Sequence, residues 1–148
     1  MGNPAFRLNS FMKLFFRLHR WLYSATRGRF GSSLSGWHVI LLQTKGRKSG
    51  LIREVTLNSL PGQGRYIVAA SYLGEPRHPD WYLNLQAHPE AHILDSGKWV
   101  TVTARDAQGE ERSQLWAQIT GKDVAYSEYQ ERTSRQIPVV ILEYAQPS

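Results

Sequence analysis

Residues 39–50, Val-Ile-Leu-Leu-Gln-Thr-Lys-Gly-Arg-Lys-Ser-Gly, join an apolar run to a basic turn, and Arg53 follows shortly after. The apolar run predicts a buried strand, and the glycines let the backbone turn tightly and present its N–H groups to a ligand. Lys45, Arg47 and Lys48 complement an anion, and arginine can bind phosphate or carboxylate through two hydrogen bonds. The stretch alone fits either a clamp for an anionic ligand or a charged turn between two strands.

The length and composition of the chain indicate one ordinary globular domain. A protein of 148 residues buries roughly 70% of its unfolded surface, so it needs no disulfide or metal to fold. The chain contains no cysteine, which excludes thiolate nucleophiles and cysteine zinc sites and fits a reducing compartment such as the cytoplasm. His88 and His92 have a helical metal-site spacing, but Pro89 separates them, so no metal site is predicted.

Positive charge is concentrated in the first third of the chain. Residues 1–53 contain ten Lys or Arg and no Asp or Glu, whereas residues 54–148 contain eight Lys or Arg and all twelve acids. So uneven a distribution indicates an anionic partner for the first third. A membrane surface, a nucleic acid or a ligand with several negative charges would fit, but no nucleic-acid-binding motif is present, so nucleic acid is not expected.

The N-terminal segment, residues 5–24, predicts an amphipathic basic helix. Two interpretations of it remain open: it covers the domain core, or it lies on an anionic membrane surface. The chain is therefore expected to divide into this helix with its linker, residues 1–30, and one domain, residues 31–148. No uncharged apolar run approaches the ~20 residues of a membrane span. The apolar face consists of Leu8, Phe11, Phe15, Leu18 and Leu22.

The remainder of the chain reads mostly as β-strands joined by turns and interrupted by helices. This order fits a mainly β fold, an antiparallel barrel of about six strands with peripheral helices, better than a doubly wound sheet. The predicted strands are 37–42, 53–60, 65–71, 91–94, 99–105 and 138–144, and the predicted helices are 80–87, 109–119 and 124–133.

Four stretches in a fixed order carry most of the distinctive residues, and each is weak as a motif when taken alone. They are Leu41-Leu42-x-Thr44-x-Gly46-Arg47-Lys48-Ser49-Gly50-x-x-Arg53; Tyr66-x-Val68-x-Ala70-Ser71; His78-Pro79-x-Trp81-Tyr82-x-Asn84-Leu85-x-Ala87-x-Pro89; and Tyr126-x-x-Tyr129-Gln130-x-x-Thr133-x-Arg135-x-Ile137-Pro138-Val139.

Together, over about residues 15–144, these stretches closely resemble the deazaflavin-dependent nitroreductase family, in particular its actinobacterial quinone reductases that use coenzyme F420. The resemblance implies a split β-barrel like that of the flavin-binding pyridoxamine oxidase superfamily. It also implies an 8-hydroxy-5-deazaflavin cofactor whose tail carries a phosphate, a lactate and several glutamates, a polyanion that suits the basic turn. An FMN-dependent reductase of the same fold is the alternative for the cofactor.

The resemblance implies a set of cofactor-binding residues. The basic turn is expected at the phosphate end of the cofactor, the end of the third strand along its ring, and the short helix at residues 80–87 on the far side. The implied residues are Arg47, Lys48, Ser49, Gly50, Arg53, Thr56, Ala69, Ser71, Tyr72, Trp81, Tyr82 and Asn84.

The expected reaction is hydride transfer from the reduced deazaflavin to a quinone or another electron-poor acceptor, such as a nitroaromatic or an enone. Tyr126 is expected to donate a hydrogen bond or proton to the acceptor, supported by Tyr129, while Ser71 lies near the pyrimidine edge. The alternative for both tyrosines is packing of a C-terminal helix. Asp123, where relatives have an aromatic residue, is expected to put an acid at the acceptor mouth. A non-enzymatic deazaflavin carrier is the alternative function.

Overall fold

The computed structural model describes residues 36–145, and this part folds into the predicted antiparallel barrel. Six strands close in the order β1-β2-β3-β6-β5-β4, and the described helices pack around them. The strands are β1 (His38–Lys45), β2 (Ile52–Gly62), β3 (Arg65–Ala69), β4 (Glu90–Asp95), β5 (Lys98–Asp106) and β6 (Val139–Tyr144); the helices are α1 (Asp80–Ala87), α2 (Gly109–Lys122) and α3 (Ala125–Glu131), with a 3-10 turn at Tyr72–Gly74.

The barrel interior is filled by alternate residues of the strands. Ile40 and Leu42 of β1 point inward and are fully buried, as expected when successive strand side chains face opposite sides. They pack with the inward residues of the other strands and with Trp81 and Leu85 of α1. Helix α1 is thus anchored in the core, which fixes the position of the polar residues that it carries.

A second apolar layer lies outside β3 and β6. Ile67, Val139 and Ile141 face away from the barrel interior and pack under Leu115 and Ile119 of α2. Both faces of β6 are therefore buried, which explains why its sequence is apolar without alternation. This layer also includes Trp37 and contacts Tyr126, so it supports the start of α3.

The seam between β2 and β3 is paired over only part of β2. This strand pairs with β1 from Ile52 to Ser59, but its described pairing with β3 is limited to Leu60, Pro61 and Gly62. Over residues 52–59 the two strands separate, which leaves one edge of β2 facing a cavity instead of a neighbouring strand.

Several boundaries differ from the predicted ones. Strand β1 continues past residue 42 to Lys45, because Thr44 is buried and its hydroxyl accepts a hydrogen bond from Asn84. Strand β3 ends at Ala69, before the predicted residue 71, because Tyr72 and Leu73 adopt positive φ angles. The predicted N-terminal helix and the boundary near residue 30 lie outside the described residues. Within the described part, no helix is both long enough and apolar enough to span a membrane.

Candidate active site

A cavity of about 940 Å³ occupies the opening between β2 and the segment that follows β3. Its volume is near the upper end of the range typical of ligand sites, about 300–1,000 Å³. It brings together residues from β2, the basic turn, α1, the 3-10 turn and α3. The predicted site residues that line it are Arg47, Lys48, Ser49, Arg53, Thr56, Ala69, Ser71, Tyr72, Trp81, Asn84, Tyr126 and Tyr129.

The basic turn, hereafter the clamp loop (residues 45–53), is held by its own backbone. The N–H of Gly50 donates to the carbonyl of Gly46 at 2.8 Å, and the N–H of Gly46 donates to the carbonyl of Leu51 at 2.7 Å. A Cβ at Gly46 would lie 2.8 Å from the Ser49 Oγ, and Gly50 has φ +73°, so both positions favour glycine. The loop is therefore compact, with exposed cations at one lip of the cavity.

Arg47 is oriented by α1. The Asn84 Oδ1 accepts hydrogen bonds from the Arg47 backbone N–H at 3.1 Å and from its Nη1 at 2.9 Å. The Asp80 Oδ1 accepts from the Arg47 Nη2 at 3.3 Å, and the buried Asn84 amide donates to Thr44. A guanidinium has five N–H donors, so Arg47 is held in one direction and keeps donors for an anionic ligand.

Ser49 faces the clamp loop itself. Its Oγ accepts a hydrogen bond from the Leu51 N–H at 3.1 Å, and the Arg53 Nη2 lies 3.5 Å from the same oxygen. Lys48 and Arg53 are exposed beside it. This end of the cavity thus presents cationic side chains on a preformed turn, which is the chemistry that a phosphate or a carboxylate requires.

The opposite side of the cavity, hereafter the ring wall (residues 69–74), has an unusual backbone. Tyr72 and Leu73 have φ of 44° and 54°, and Gly74 follows with φ 78°. A left-handed conformation costs a non-glycine residue roughly 1–2 kcal/mol, so two in succession require support from surrounding contacts. The turn directs Ser71, Tyr72 and Leu73 toward the cavity, which all three line.

The tyrosine wall, defined by Tyr126 and Tyr129 of α3, closes the remaining side. The Tyr126 ring meets the Tyr129 and Trp37 rings edge-on, each at 5.5 Å between centroids. The Asn58 Nδ2 donates to the Tyr126 hydroxyl oxygen at 3.4 Å, so the hydroxyl hydrogen is available for a ligand. Burial raises the pKa of Tyr126 to about 12 and also raises the pKa of Tyr129.

Asp123 does not supply an acid to the cavity, and the expectation that it would is corrected. Its Oδ2 accepts a hydrogen bond from the Trp37 Nε1 at 3.3 Å, and its Oδ1 accepts from the Ala125 N–H at 3.0 Å. The carboxylate therefore caps the start of α3 and ties it to Trp37. It is absent from the cavity lining among the described residues.

Two predicted cofactor-binding residues, Gly50 and Tyr82, do not line the cavity. Gly50 closes the clamp loop. The Tyr82 hydroxyl donates to the Asp106 Oδ2 at 2.6 Å, and burial, followed by this bond, raises the pKa of Tyr82. Its ring contacts His78 at 4.8 Å between centroids, so Tyr82 packs in the structure behind the cavity.

Sequence reasoning missed Glu54 and Asn58, which line the cavity on either side of Thr56. The alternation of strand side chains places all three on the same face of β2. Thr56 was a predicted site residue, so the alternation of a strand could have predicted that Glu54 and Asn58 line the cavity as well. Glu54 accepts a hydrogen bond from Gln43 at 3.1 Å, which holds its carboxylate toward β1.

A family model described as F420H(2)-dependent quinone reductase matches residues 15–144. The chain belongs to this family. The F420H(2)-dependent quinone reductase Rv1261c of Mycobacterium tuberculosis is 40% identical over 131 residues, which cover 85% of this chain and 87% of the relative. A second M. tuberculosis family member, the putative reductase Rv3178, is 35% identical over 104 residues, 70% of this chain and 87% of its own length.

Solved structures agree with the family assignment. The structure of an F420-H2 dependent reductase, FDR-A, is 40% identical and superposes with a TM-score of 0.65, covering 71% of this chain and 93% of that protein. The heme storage protein HutZ of Vibrio cholerae, at 15% identity and a TM-score of 0.55 over 96% of this chain and 93% of its own, shares the fold alone. The predicted split-barrel fold is confirmed.

Proposed function

We propose that this protein transfers a hydride from reduced coenzyme F420 to a quinone, with the clamp loop binding the acidic tail of the cofactor and the tyrosine wall serving the acceptor. Membership of the quinone reductase family supports the reaction. The observation that carries the residue roles is that one cavity joins the exposed cations of the clamp loop to the protonated, half-buried Tyr126.

The residues present fit a deazaflavin cofactor. Arg47, Lys48 and Arg53 match the phosphate and glutamates of its tail in charge, and the orientation of Arg47 by Asn84 reduces the ordering required on binding. Thr56 and Ser71 offer hydroxyl groups to a polar ring edge from opposite sides of the cavity. Trp81 lines the cavity from α1 and adds apolar surface.

The cofactor, when bound and reduced, would supply a hydride, which carries both electrons and one of the two protons that a quinone needs to become a hydroquinone. As negative charge develops on the quinone oxygen, the Tyr126 hydroxyl donates its hydrogen bond and then its proton to that oxygen. Tyr126 then regains a proton from solvent. Asn58 donates to the Tyr126 oxygen, so it fixes the direction of the remaining hydrogen, and Tyr129 supports the ring of Tyr126.

A membrane quinone would give the basic N-terminal segment a role. Residues 5–24 combine cations with an apolar face, and we propose that the protein acts in the cytoplasm and makes peripheral contact with the inner face of the cell membrane through them. Deletion of residues 1–24 is then expected to reduce co-sedimentation with anionic phosphatidylglycerol vesicles. Unchanged binding to these vesicles would end this part of the proposal.

The function is tested by mixing the protein with reduced coenzyme F420 and quinones, enones or nitroaromatics, and following reoxidation of the cofactor by its visible absorbance. We expect the quinone menadione to be reduced. Tight cofactor binding without turnover of any acceptor would indicate a carrier, and stronger quenching of tryptophan fluorescence by FMN than by coenzyme F420 would indicate a flavin reductase. Either result would reject the proposed reaction.

A further inference from the structure

Arg135 binds the start of the ring wall and the residue that follows it, Glu75, through one guanidinium group. Its Nη1 donates to the Ala70 carbonyl at 3.1 Å, and its Nη2 donates to the Ser71 carbonyl at 2.8 Å. Its Nε donates to the Glu75 carbonyl at 3.0 Å, on the far side of the turn. A planar fork of donors suits three convergent carbonyl oxygens, and the ammonium of a lysine does not reproduce it.

These contacts surround the residues whose backbone most needs support. Tyr72 and Leu73 lie between the carbonyl groups that Arg135 binds and have positive φ angles. The Arg135 Nη1 also lies 3.2 Å from the His78 Nδ1. Burial and the charge of Arg135 lower the pKa of His78, which favours the neutral imidazole that can accept that bond. Together, the hydrogen bonds of Arg135 hold the turn in one conformation.

The same segment is tied to the tyrosine wall. The Gln130 Nε2 of α3 donates to the Arg135 carbonyl at 2.8 Å, and the Gln130 Oε1 accepts from the Ile137 N–H at 2.9 Å. At the turn itself, Gly74 approaches α3 so closely that a Cβ there would lie 2.7 Å from the Tyr129 carbonyl oxygen. The ring wall and the tyrosine wall are therefore joined at two places, and Arg135 takes part in one of them.

We propose that Arg135 is a positioning residue that sets the separation of the ring wall from the tyrosine wall, and with it the alignment of acceptor and cofactor. The proposal rests on the proposed function. Arg135 is absent from the cavity lining among the described residues, so its effect on turnover must pass through the two walls. A misplacement of about 1 Å can reduce a reaction rate on the order of a hundredfold.

The test compares Arg135→Gln and Arg135→Lys with a matched control, Arg112→Gln. Arg112 is also half-buried and its Nη2 donates to a backbone carbonyl, that of Ile137, at 2.6 Å, but it does not line the cavity or contact the ring wall. The measurements are the thermal midpoint, kcat and KM with menadione, and the Kd of the deazaflavin riboside, a probe that lacks the acidic tail.

We expect Arg135→Gln to lower kcat by about 10- to 100-fold, with KM for menadione changed less than about threefold, and Arg135→Lys to fall between it and the parent. Arg112→Gln should lose less thermal stability, because it gives up one backbone hydrogen bond where Arg135→Gln gives up three, and it should keep kcat within about twofold of the parent. A folded Arg135→Gln variant with the kcat of the control would overturn the proposal. If Arg135→Gln does not fold, the same comparison between Arg135→Lys and the control decides.

The same measurements distinguish failure of the proposed function from failure of the proposed role of Arg135. If the parent protein and Arg112→Gln do not reduce any acceptor, the proposed reaction is rejected, and riboside binding then tests Arg135 alone. Weaker riboside binding by Arg135→Gln than by Arg112→Gln supports the positioning of the ring wall, and equal binding rejects it.

Discussion

The clamp loop and the tyrosine wall lie at different places along one cavity and differ in both charge and burial. The clamp loop presents exposed Lys48 and Arg53 beside a pre-oriented Arg47. The tyrosine wall presents half-buried hydroxyl groups whose pKa values burial raises. Exposed cations favour binding of a polyanion, whereas a neutral buried donor favours proton transfer to an acceptor. Affinity for the cofactor and the rate of its oxidation should therefore be separable by substitution.

The largest expected effect is on cofactor affinity. The double variant Arg47→Gln/Lys48→Gln removes two charge-assisted contacts, each worth about 1.5–3 kcal/mol, so cofactor affinity should fall on the order of 10² to 10⁴-fold. Titration with coenzyme F420, followed by tryptophan fluorescence, measures the Kd.

The matched control for that experiment is Lys98→Gln/Lys122→Gln, which removes the same charge from two exposed positions outside the cavity lining. Its Kd should change less than about threefold, because neither side chain lines the cavity and exposed charges are screened by salt. Equal weakening by both double variants would mean that net charge, and not the clamp loop, attracts the cofactor.

Tyr126→Phe should lower kcat by about 100-fold with little change in cofactor Kd, because it removes the proton donor and keeps the ring that packs on Trp37. Steady-state kinetics with menadione checks this. In the parent, kcat should not fall at pH 9–10 through loss of this proton, because burial raises the pKa of Tyr126 from its ordinary 10.0 to about 12. A Tyr126→Phe variant with the parent kcat would assign the proton to another group.

Gly74→Ala tests the close contact between the ring wall and the tyrosine wall. It should destabilise the fold by about 2 kcal/mol or more, since Gly74 has φ +78° and an added Cβ would meet the Tyr129 backbone. Gly64→Ala is the control, because Gly64 has φ +69° with open space around it and should lose only about 1 kcal/mol. Urea unfolding measures both free energies, and equal losses would show that α3 yields to the added methyl group.

The smallest expected effect is on the stability of the fold at acidic pH. Burial, and then the charge of Arg135, lower the pKa of His78 below its ordinary 6.5, while Asp106 opposes the shift. The unfolded chain therefore takes up this proton first, so stability from neutral His78 is present above about pH 6.5 and declines as pH falls. Thermal midpoints between pH 7.5 and 5 should decline less in His78→Gln, in which the Tyr82 ring still covers the site. Parallel curves for variant and parent would contradict this assignment.

The sequence predicted the barrel because its strands are marked by local signals, apolar runs bounded by turns such as residues 61–64. The cations of the clamp loop could also be predicted, because they lie close together in the chain. The coupling of Asn84 to Arg47 was not predicted, because it joins residues 37 positions apart. The left-handed turn at Tyr72 and Leu73 was also missed, since its support comes from Arg135, far along the chain.

Asp123 shows the limit of carrying a role over from a family pattern. Its position among aromatic residues predicted an acid at the acceptor mouth, but a carboxylate next to a helix start has local donors available. The Ala125 N–H and the Trp37 indole take up both of its oxygens, which a pattern of sequence spacing does not reveal.

The separation of cofactor binding from cofactor oxidation is tested most directly by single-turnover reoxidation of reduced coenzyme F420 by menadione. The cofactor is kept in excess of its Kd for each variant. We expect Arg47→Gln/Lys48→Gln to reoxidise the cofactor at the parent rate once saturated. Tyr126→Phe should bind the cofactor as the parent does but react about 100-fold more slowly. If the clamp variant loses rate at saturation as strongly as it loses affinity, or if Tyr126→Phe loses affinity and keeps its rate, the division of the cavity into a binding end and a reacting end is wrong.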